Sequence, residues 1–257
     1  MTGDRKSTSQ LKNKPLRQAG QSADEERNRI IDEGIMPLVI ISLVVVFFAA
    51  LEWYRSLVDV PPRPVLATVL AVGVIAYSFF KGARLTREAR SWRLGRDGER
   101  RVGQLLDTLH TPTCFVLHDI VGDRFNVDHV VVSEKGIFVI ETKAYSKPGG
   151  DKRVRFDGSR LTIDGLGDKT NAIDQARANA NWIANRLKAS TGKDYPVRPV
   201  VLFPDWFCEP MPKGCAVWAL EPKGFLGFFE REKAKIPPEE VHWARERLEA
   251  YIRGAAD

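Results

Sequence analysis

The fold is decided by the stretch DHVVVSEKGIFVIETK, residues 128–143. It contains two runs of β-branched and aromatic residues, 130–132 and 137–140, separated by Ser133-Glu134-Lys135-Gly136. Such apolar runs are typical of buried strands, and a short segment ending in glycine between them is typical of a tight turn. The stretch therefore predicts a β-hairpin.

Three charged side chains meet at the open end of this predicted hairpin. Side chains two residues apart on a strand point to the same face, so Glu141 and Lys143 project together while Thr142 points away. With the strands in register, Asp128 lies opposite that end of the second strand. Close carboxylates repel each other unless a cation lies between them. The pattern therefore indicates a Mg²⁺ site beside an ammonium group, which suits attack on a phosphodiester.

Four sequence blocks around this stretch resemble a known family. They are GRDGE (95–99), FNVDHVVV (125–132), GIFVIETK (136–143) and NAIDQA (171–176). Together they resemble the NERD (nuclease-related) domain, a branch of the PD-(D/E)xK nuclease superfamily, over roughly residues 95–205. A lone Glu-x-Lys motif would carry no weight, whereas four blocks in this order make the resemblance specific.

The resemblance implies a restriction-endonuclease-like α/β fold, in which a mixed sheet is flanked by helices. It also implies hydrolysis of phosphodiester bonds with bound Mg²⁺ or Mn²⁺. The implied metal ligands are Asp128, Glu141, the backbone carbonyl of Thr142, and Glu99. Lys143 would orient the attacking water or stabilise the transition state, and Gln175 would hydrogen-bond the nucleophile or the scissile phosphate. The implied catalytic residues are Glu99, Asp128, Glu141, Lys143 and Gln175.

Each of these residues also has a purely structural interpretation. Glu141 and Lys143 can form an exposed ion pair on an edge strand, which contributes under about 1 kcal/mol. Asp128 can be an ordinary strand-start residue, and Glu99 can serve only the dipole of a helix N-terminus. Gln175 alone would be a solvated helix residue. We favour the site because Glu141 directly follows four apolar residues and because the whole set is present.

Two apolar runs precede this region. Residues 35–51 are almost unbroken hydrophobics followed by Trp53 and Tyr54, and residues 65–80 contain no charge. Each run approaches the roughly 20 residues that cross a bilayer, and flanking Pro, Trp and Tyr complete the length. Buried helices of a soluble protein are the alternative, but these normally carry a polar face. The sequence therefore predicts two transmembrane helices, at about 35–54 and 64–80, joined as a hairpin.

Basic residues flank the predicted hairpin at both of its outer ends. Those after the second span are Lys81, Arg84, Arg87, Arg90, Arg93 and Arg96. Because positive charge favours the cytoplasmic side, we expect a multi-pass protein of the plasma or inner cell membrane with both termini in the cytoplasm. We expect residues 81–96 to contact anionic lipid headgroups, and a contribution to DNA binding is the alternative.

These features divide the chain into four predicted regions. They are a disordered cytoplasmic tail (1–30), the two transmembrane helices (31–81), a basic juxtamembrane helix (82–94) and a NERD-like nuclease domain (95–257). Within the last region we expect an amphipathic helix over 96–109, a second hairpin over 153–163, a helix around 173–187 and a C-terminal helix over 238–252.

The remaining polar residues indicate no second site. His129 follows Asp128 directly, so its side chain should lie on the opposite face of the sheet, where we interpret it as structural. The three cysteines form no Cys-x-x-Cys pair and fit reduced cytoplasmic thiols.

Three functions are compatible with these patterns. The leading hypothesis is a membrane-anchored, metal-dependent phosphodiesterase, a DNA endonuclease whose catalytic domain lies in the cytoplasm. The alternatives are a catalytically silent, membrane-tethered module that binds nucleic acid, and an accessory membrane protein whose domain is only a scaffold. The net charge of +6 permits nucleic acid or anionic lipid as partner. Metal binding separates the first hypothesis from the others, and the salt dependence of DNA binding separates the second from the third.

Overall fold

The computed structural model describes residues 16–58, 63–122, 125–146 and 153–254. The chain divides into two compact units. One comprises Ser22–Asp97 and is helical, and the other comprises Gly98–Asp257 together with the N-terminal residues up to Gln21. The predicted tail up to residue 15 and the linker residues 59–62 lie outside the described residues.

The helical unit carries the two apolar runs. Its elements are α1 (Gln21–Arg29), a π-helical segment (Ile30–Ile35), α2 (Met36–Ser56) and the first part of α3 (Pro64–Asp107). Two helical stretches, Gln21–Ser56 and Val65–Asp107, are long and apolar enough to cross a membrane, and the most apolar 18 residues of each have mean hydropathies of 2.8 and 1.8. Their large apolar side chains are mostly exposed, with Phe47 60% and Phe79 71% accessible.

The structure differs from two predictions for this unit. The tail predicted to be disordered over 1–30 includes α1, which tertiary contacts stabilise: Ala23 is buried, and Asp24 pairs with Arg96 at 2.6 Å. Gly95, where we expected one helix to end and the next to begin, lies inside α3. A glycine inside a helix costs only about 1 kcal/mol relative to alanine, so a helix with good neighbouring turns continues through it.

All the strands of the described residues belong to the second unit. In chain order they are β1 (Cys114–Val121), β2 (Asn126–Ser133), β3 (Gly136–Thr142), β4 (Arg153–Phe156), β5 (Leu161–Ile163), β6 (Gly167–Asp168), β7 (Val197–Leu202), β8 (Phe207–Cys208) and β9 (Trp218–Leu220). The larger sheet has the order β1-β2-β3-β7-β9. β2 is antiparallel to both of its neighbours, β1 and β3, whereas β7 pairs parallel to β3 and β9 pairs parallel to β7.

Helices cover both faces of the larger sheet. One face packs against α4 (Asn171–Thr191) and α6 (Pro238–Gly254), and the other packs against the end of α3 and α5 (Pro222–Arg231). The predicted α/β fold, a mixed sheet flanked by helices, is therefore confirmed. Phe225 and Phe229 lie one turn apart on α5, and their rings pack against Phe138 of β3.

A second, smaller sheet has the order β6-β5-β4-β8. Its β4–β5 hairpin is the one predicted over 153–163. In the turn of this hairpin, Asp157 Oδ1 accepts hydrogen bonds from the backbone N–H groups of Ser159 and Arg160. The sheet shares a hydrophobic cluster with the start of α4 and with β7, and Trp206 is buried there. The smaller sheet therefore supports the first two turns of α4, where Gln175 lies.

The stretch 128–143 folds as the predicted hairpin. Ser133 pairs with Gly136, so the turn consists of Glu134 and Lys135. Gly136 has a φ of +128°, which glycine adopts readily, and a side chain there would approach the Pro196 carbonyl oxygen to 3.1 Å. The tight turn fixes the register of the two strands and so fixes which side chains meet at their other end.

Candidate active site

The open end of the β2–β3 hairpin brings two predicted acids together. His129 pairs with Ile140, so Asp128 and Glu141 are the next opposed residues, and side chains of opposed residues share a face. The backbone N–H of Thr142 donates a 2.7 Å hydrogen bond to Asp128 Oδ2. The hairpin therefore places both carboxylates at one position on the sheet.

Both oxygens of Glu141 have partners. Oε1 accepts a 2.8 Å hydrogen bond from Lys143 Nζ, and Oε2 accepts a 2.9 Å hydrogen bond from Asn179 Nδ2. The Glu141 side chain is only 4% exposed and lies on β3, the central strand of the sheet. An exposed edge-strand ion pair, the structural alternative for Glu141 and Lys143, is therefore excluded.

Helix α4 contributes two amides to this cluster. Gln175 Oε1 accepts a 2.9 Å hydrogen bond from Lys143 Nζ, so the ammonium bridges Gln175 and Glu141. Asn179 lies one turn further along α4 and is buried against Glu141. The sequence analysis missed Asn179. Its signal was a polar residue four positions after Gln175, where the side chains of a helix share a face.

Glu99, in the C-terminal part of α3, joins the cluster through its charge. Burial, together with the negative charges of Asp119 and Glu141, raises the pKa of Glu99 to about 7, although Lys143 opposes the rise. Coulombic interactions of this kind weaken steeply with distance in a solvated protein, so Glu99 belongs to the same acidic group. The structure also adds Asp119, on β1, which the sequence analysis did not single out.

Crowding of negative charge also affects the two strand acids. Burial raises the pKa of Asp128 well above its usual value, and the charges of Glu141 and Glu99 act in the same direction. Burial likewise raises the pKa of Glu141, although Lys143 and Asn179 both stabilise its charged form. Carboxylates that resist ionisation together favour an added cation, and such perturbed groups concentrate at functional sites.

Lys143 carries a stable positive charge in this arrangement. Burial by itself lowers the pKa of the ammonium, but the charge of Glu141 and the hydrogen bond to it outweigh burial, so that the pKa is raised. The group therefore acts as a hydrogen-bond donor and a counter-charge.

The donor set suits a hard divalent cation. Mg²⁺ prefers oxygen ligands, and a carboxylate offers about four lone-pair positions, so Glu141 keeps capacity beyond its two hydrogen bonds. In the part of the chain that the structure describes, no group of three His, Cys, Asp or Glu side chains is arranged to hold a metal ion. The oxygen donors are of the type that a hard cation prefers, but within the described residues they are not grouped as a metal site.

His129 of β2 and His118 of β1 lie together on the other face of the sheet, as expected for His129. His129 is fully buried, and its Nδ1 lies 2.9 Å from Nδ1 of His118, whose Nε2 lies 3.0 Å from Asp107 Oδ1. Burial lowers the pKa of His129 well below its usual value, and His118 lowers it further. This pair links β1, β2 and the end of α3, and it contributes to packing.

Comparison with known families agrees with the geometry. Residues 94–204 match the family model of the nuclease-related domain. The chain contains a NERD domain. The resemblance drawn from the four sequence blocks is thereby confirmed, and the matched segment includes Glu99, Asp128, Glu141, Lys143 and Gln175.

More distant comparisons add little about activity. An uncharacterized protein of Bacillus anthracis is 39% identical over 69 residues, which is 24% of this chain and 32% of that protein. The chain thus matches about a third of the length of this relative. No solved structure matches the chain significantly.

Proposed function

We propose that this NERD-domain protein is a membrane-anchored, metal-dependent phosphodiesterase that acts on DNA as an endonuclease. The observation that carries the proposal is the convergence of Asp128, Glu141 and Glu99, all with raised pKa values, around an ammonium held by Glu141 and Gln175. A fold by itself does not establish a function, so the proposal rests on this group of side chains.

A divalent cation supplies the chemistry that the side chains lack. We propose that Mg²⁺ or Mn²⁺ is held by Asp128, Glu141, Glu99 and the carbonyl of Thr142. When bound, it would lower the pKa of a bound water and neutralise charge on the phosphate oxygens. Neutralisation of the crowded carboxylates by the cation would offset the energetic cost of keeping them ionised together.

The chain's own residues orient the reacting groups. The Thr142 N–H fixes the Asp128 carboxylate, and the Asn179 amide fixes Glu141 from the opposite side. Lys143 can donate a hydrogen bond to the attacking water or to a phosphate oxygen, because an ammonium has three N–H donors and two are already directed by Glu141 and Gln175. In this role Gln175 is a positioning residue that aims Lys143, and it can also reach the scissile phosphate.

The helical unit supports membrane anchoring. The outward-facing side chains of Phe47, Phe79 and their neighbours would be covered by lipid tails. The basic residues at 81–96 lie directly after the second apolar run, where they would contact anionic headgroups on the cytoplasmic side. We propose a multi-pass protein of the plasma or inner membrane with both termini and the NERD domain in the cytoplasm.

The experiment uses the full chain purified in detergent micelles. Supercoiled plasmid and short single-stranded DNA are incubated with Mg²⁺, Mn²⁺ or EDTA, beside the variants Glu141→Gln and Lys143→Met. The matched control is Lys188→Met, which removes an exposed lysine of α4. We expect cation-dependent cleavage by the unmodified protein and the control, and its loss in both site variants. No cleavage under any of these conditions would contradict the proposal.

A second function has support from one observation. Lys143 neutralises Glu141 directly, and within the described residues no three acidic or other ligating side chains are arranged for a metal. A silent module that retains nucleic acid at the membrane is compatible with this arrangement. In that case DNA binding would weaken steeply with salt, and cleavage would be absent.

A further inference from the structure

A short segment before the apolar helices is docked on the NERD-containing unit. We call this segment, residues 16–20, the strap. Leu16 packs against the hydrophobic core between the sheet and helices α4 and α6. Ala19 lies against Gly103 of α3, so closely that a side chain on Gly103 would approach the Ala19 methyl to 2.7 Å. The strap therefore has contacts on both sides of the edge strand β1.

Between these two contacts, Arg17 of the strap forms an ion pair with Asp119 of β1. Arg17 Nε lies 2.7 Å from Asp119 Oδ2, and the two side chains are 19% and 5% exposed. A buried carboxylate is costly unless it is paired, and Arg17 supplies the opposite charge for Asp119. Asp119 has a φ of +50°, a conformation that few residues other than glycine adopt. Such strained positions are concentrated at functional sites.

Asp119 belongs to the acidic group of the candidate active site. On β1, His118 pairs with His129 and Ile120 pairs with Val127, which places Asp119 at the level of Asp128. Asp128 in turn lies beside Glu141, so three neighbouring strands each carry an acid at the same level. The charge of Asp119 is also felt by Glu99. We call Asp119, Asp128 and Glu141 the acidic row.

The acidic row has a cation at each end. Lys143 pairs with Glu141 at one end, and Arg17 pairs with Asp119 at the other. Lys143 directly follows β3, whereas Arg17 lies in a segment that forms no strand pairing with the sheet. A divalent cation bound by the row would neutralise the same carboxylates and would repel the guanidinium.

We infer that Arg17 is a positioning residue of the candidate active site, and that docking of the strap and binding of a divalent cation oppose each other. This inference rests on the proposed function. With the strap docked, Asp119 is occupied and the row holds a cation weakly. With the strap released, Asp119 becomes available as a further oxygen donor. The acidic row has then lost the charge of Arg17 and binds an added cation more tightly. The strap thus sets the cation affinity of the site.

The test measures Mn²⁺ binding by the full chain in detergent micelles, by calorimetry. The variants are Arg17→Gln, Arg17→Lys, and Arg17→Gln combined with Asp119→Asn. The matched control is Arg27→Gln, which removes an arginine from α1. We expect Arg17→Gln to bind Mn²⁺ about ten-fold more tightly than the unmodified protein. Arg17→Lys and the control should keep the original affinity, and the double variant should lose the gain.

A second readout needs no variant. Hydrogen exchange of the strap amides is followed in the unmodified protein with and without Mn²⁺, and we expect faster exchange when Mn²⁺ is bound. Equal Mn²⁺ affinity of the unmodified protein and Arg17→Gln would overturn the inference while leaving the proposed function intact. If Arg17→Gln fails to fold, strap exchange that Mn²⁺ leaves unchanged would overturn it instead. Absence of Mn²⁺ binding in every variant would overturn the proposed function as well.

Discussion

Two adjacent residues of β2 lie in environments of opposite kind. Asp128 faces the acidic group, where burial raises the pKa values of Asp128 and Glu141 and neighbouring carboxylates raise that of Asp128 further. His129 faces the other side of the sheet, where burial keeps an imidazole neutral beside His118. The acid side is electrostatically unfavourable without a cation, whereas the histidine side is a neutral packing contact. Strand alternation thus separates a candidate reactive face from a structural face within one strand.

The largest expected effect is the loss of Mn²⁺ affinity and cleavage when Asn179, on the acid side of β2, is replaced. Replacing it with alanine removes the donor to Glu141 Oε2 without touching the acids or Lys143. Residues that orient a metal ligand typically contribute 10- to 100-fold to metal affinity or activity, so we expect a loss in that range for Mn²⁺ affinity and cleavage. Calorimetry and plasmid cleavage give the two values. Asn181→Ala, on the same helix, is the control.

A change in stability but not in Mn²⁺ affinity for Asn179→Ala would mean that Asn179 only fills space. In that case the acid side would be no more specialised than the histidine side.

The next largest effect is a loss of stability when His129, on the histidine side of β2, is replaced by leucine. His129→Leu leaves His118 without its 2.9 Å partner, and loss of a buried hydrogen-bond partner costs about 1–3 kcal/mol. The pKa of His129 is lowered in the folded state, so its favourable contribution is present above pH about 6.5 and is lost as pH falls. We therefore expect the variant to be less stable at pH 8 and the difference to narrow at pH 5, measured by urea unfolding.

The exposed His242→Leu serves as the control for this variant. Loss of Mn²⁺ affinity in His129→Leu, with stability unchanged, would contradict the assignment of this face to packing.

The smallest effect is expected at Glu99. Its folded-state pKa is raised to about 7, so the stability that its neutral form contributes is present below pH about 4.5 and is lost as pH rises through 7. Glu99→Gln should therefore raise the free energy of unfolding at pH 8 by about 1 kcal/mol, after allowance for solvent screening, and by much less at pH 5. Thermal unfolding with and without Mg²⁺ measures this effect. The exposed Glu246→Gln is the control.

Added Mg²⁺ should stabilise the unmodified protein more than Glu99→Gln and so reduce their difference. A Glu99→Gln variant that is less stable than the unmodified protein at pH 8 would show that burial and neighbouring charges do not destabilise the ionised carboxylate.

Local sequence determined much of this site. The hairpin followed from β-branched runs around a turn, and its register then brought Asp128 to Glu141 without any distant contact. Gln175 was found only because the family resemblance pointed to it, since a polar residue on a helix has no signal of its own. Asn179 was overlooked because we counted the apolar members of its helix and not the polar residue among them.

Other features depended on tertiary contacts that no local pattern encodes. The pairing of Arg17 with Asp119 joins residues 102 positions apart, and the left-handed conformation of Asp119 has no signature in its neighbours. The helix through Gly95 was missed because we gave a glycine more weight than the turns around it. Sequence reasoning therefore worked where one hairpin set the geometry and failed where separate segments met.

The most direct test of the account is a calorimetric titration of Mn²⁺ into the full chain and into Asp128→Asn/Glu141→Gln. The account predicts saturable binding by the unmodified protein and its loss in the double variant, which keeps its thermal stability because the acids are crowded without a cation. Equal binding by both proteins, or binding by neither, would contradict the claim that the acidic face of the hairpin is a cation-dependent site.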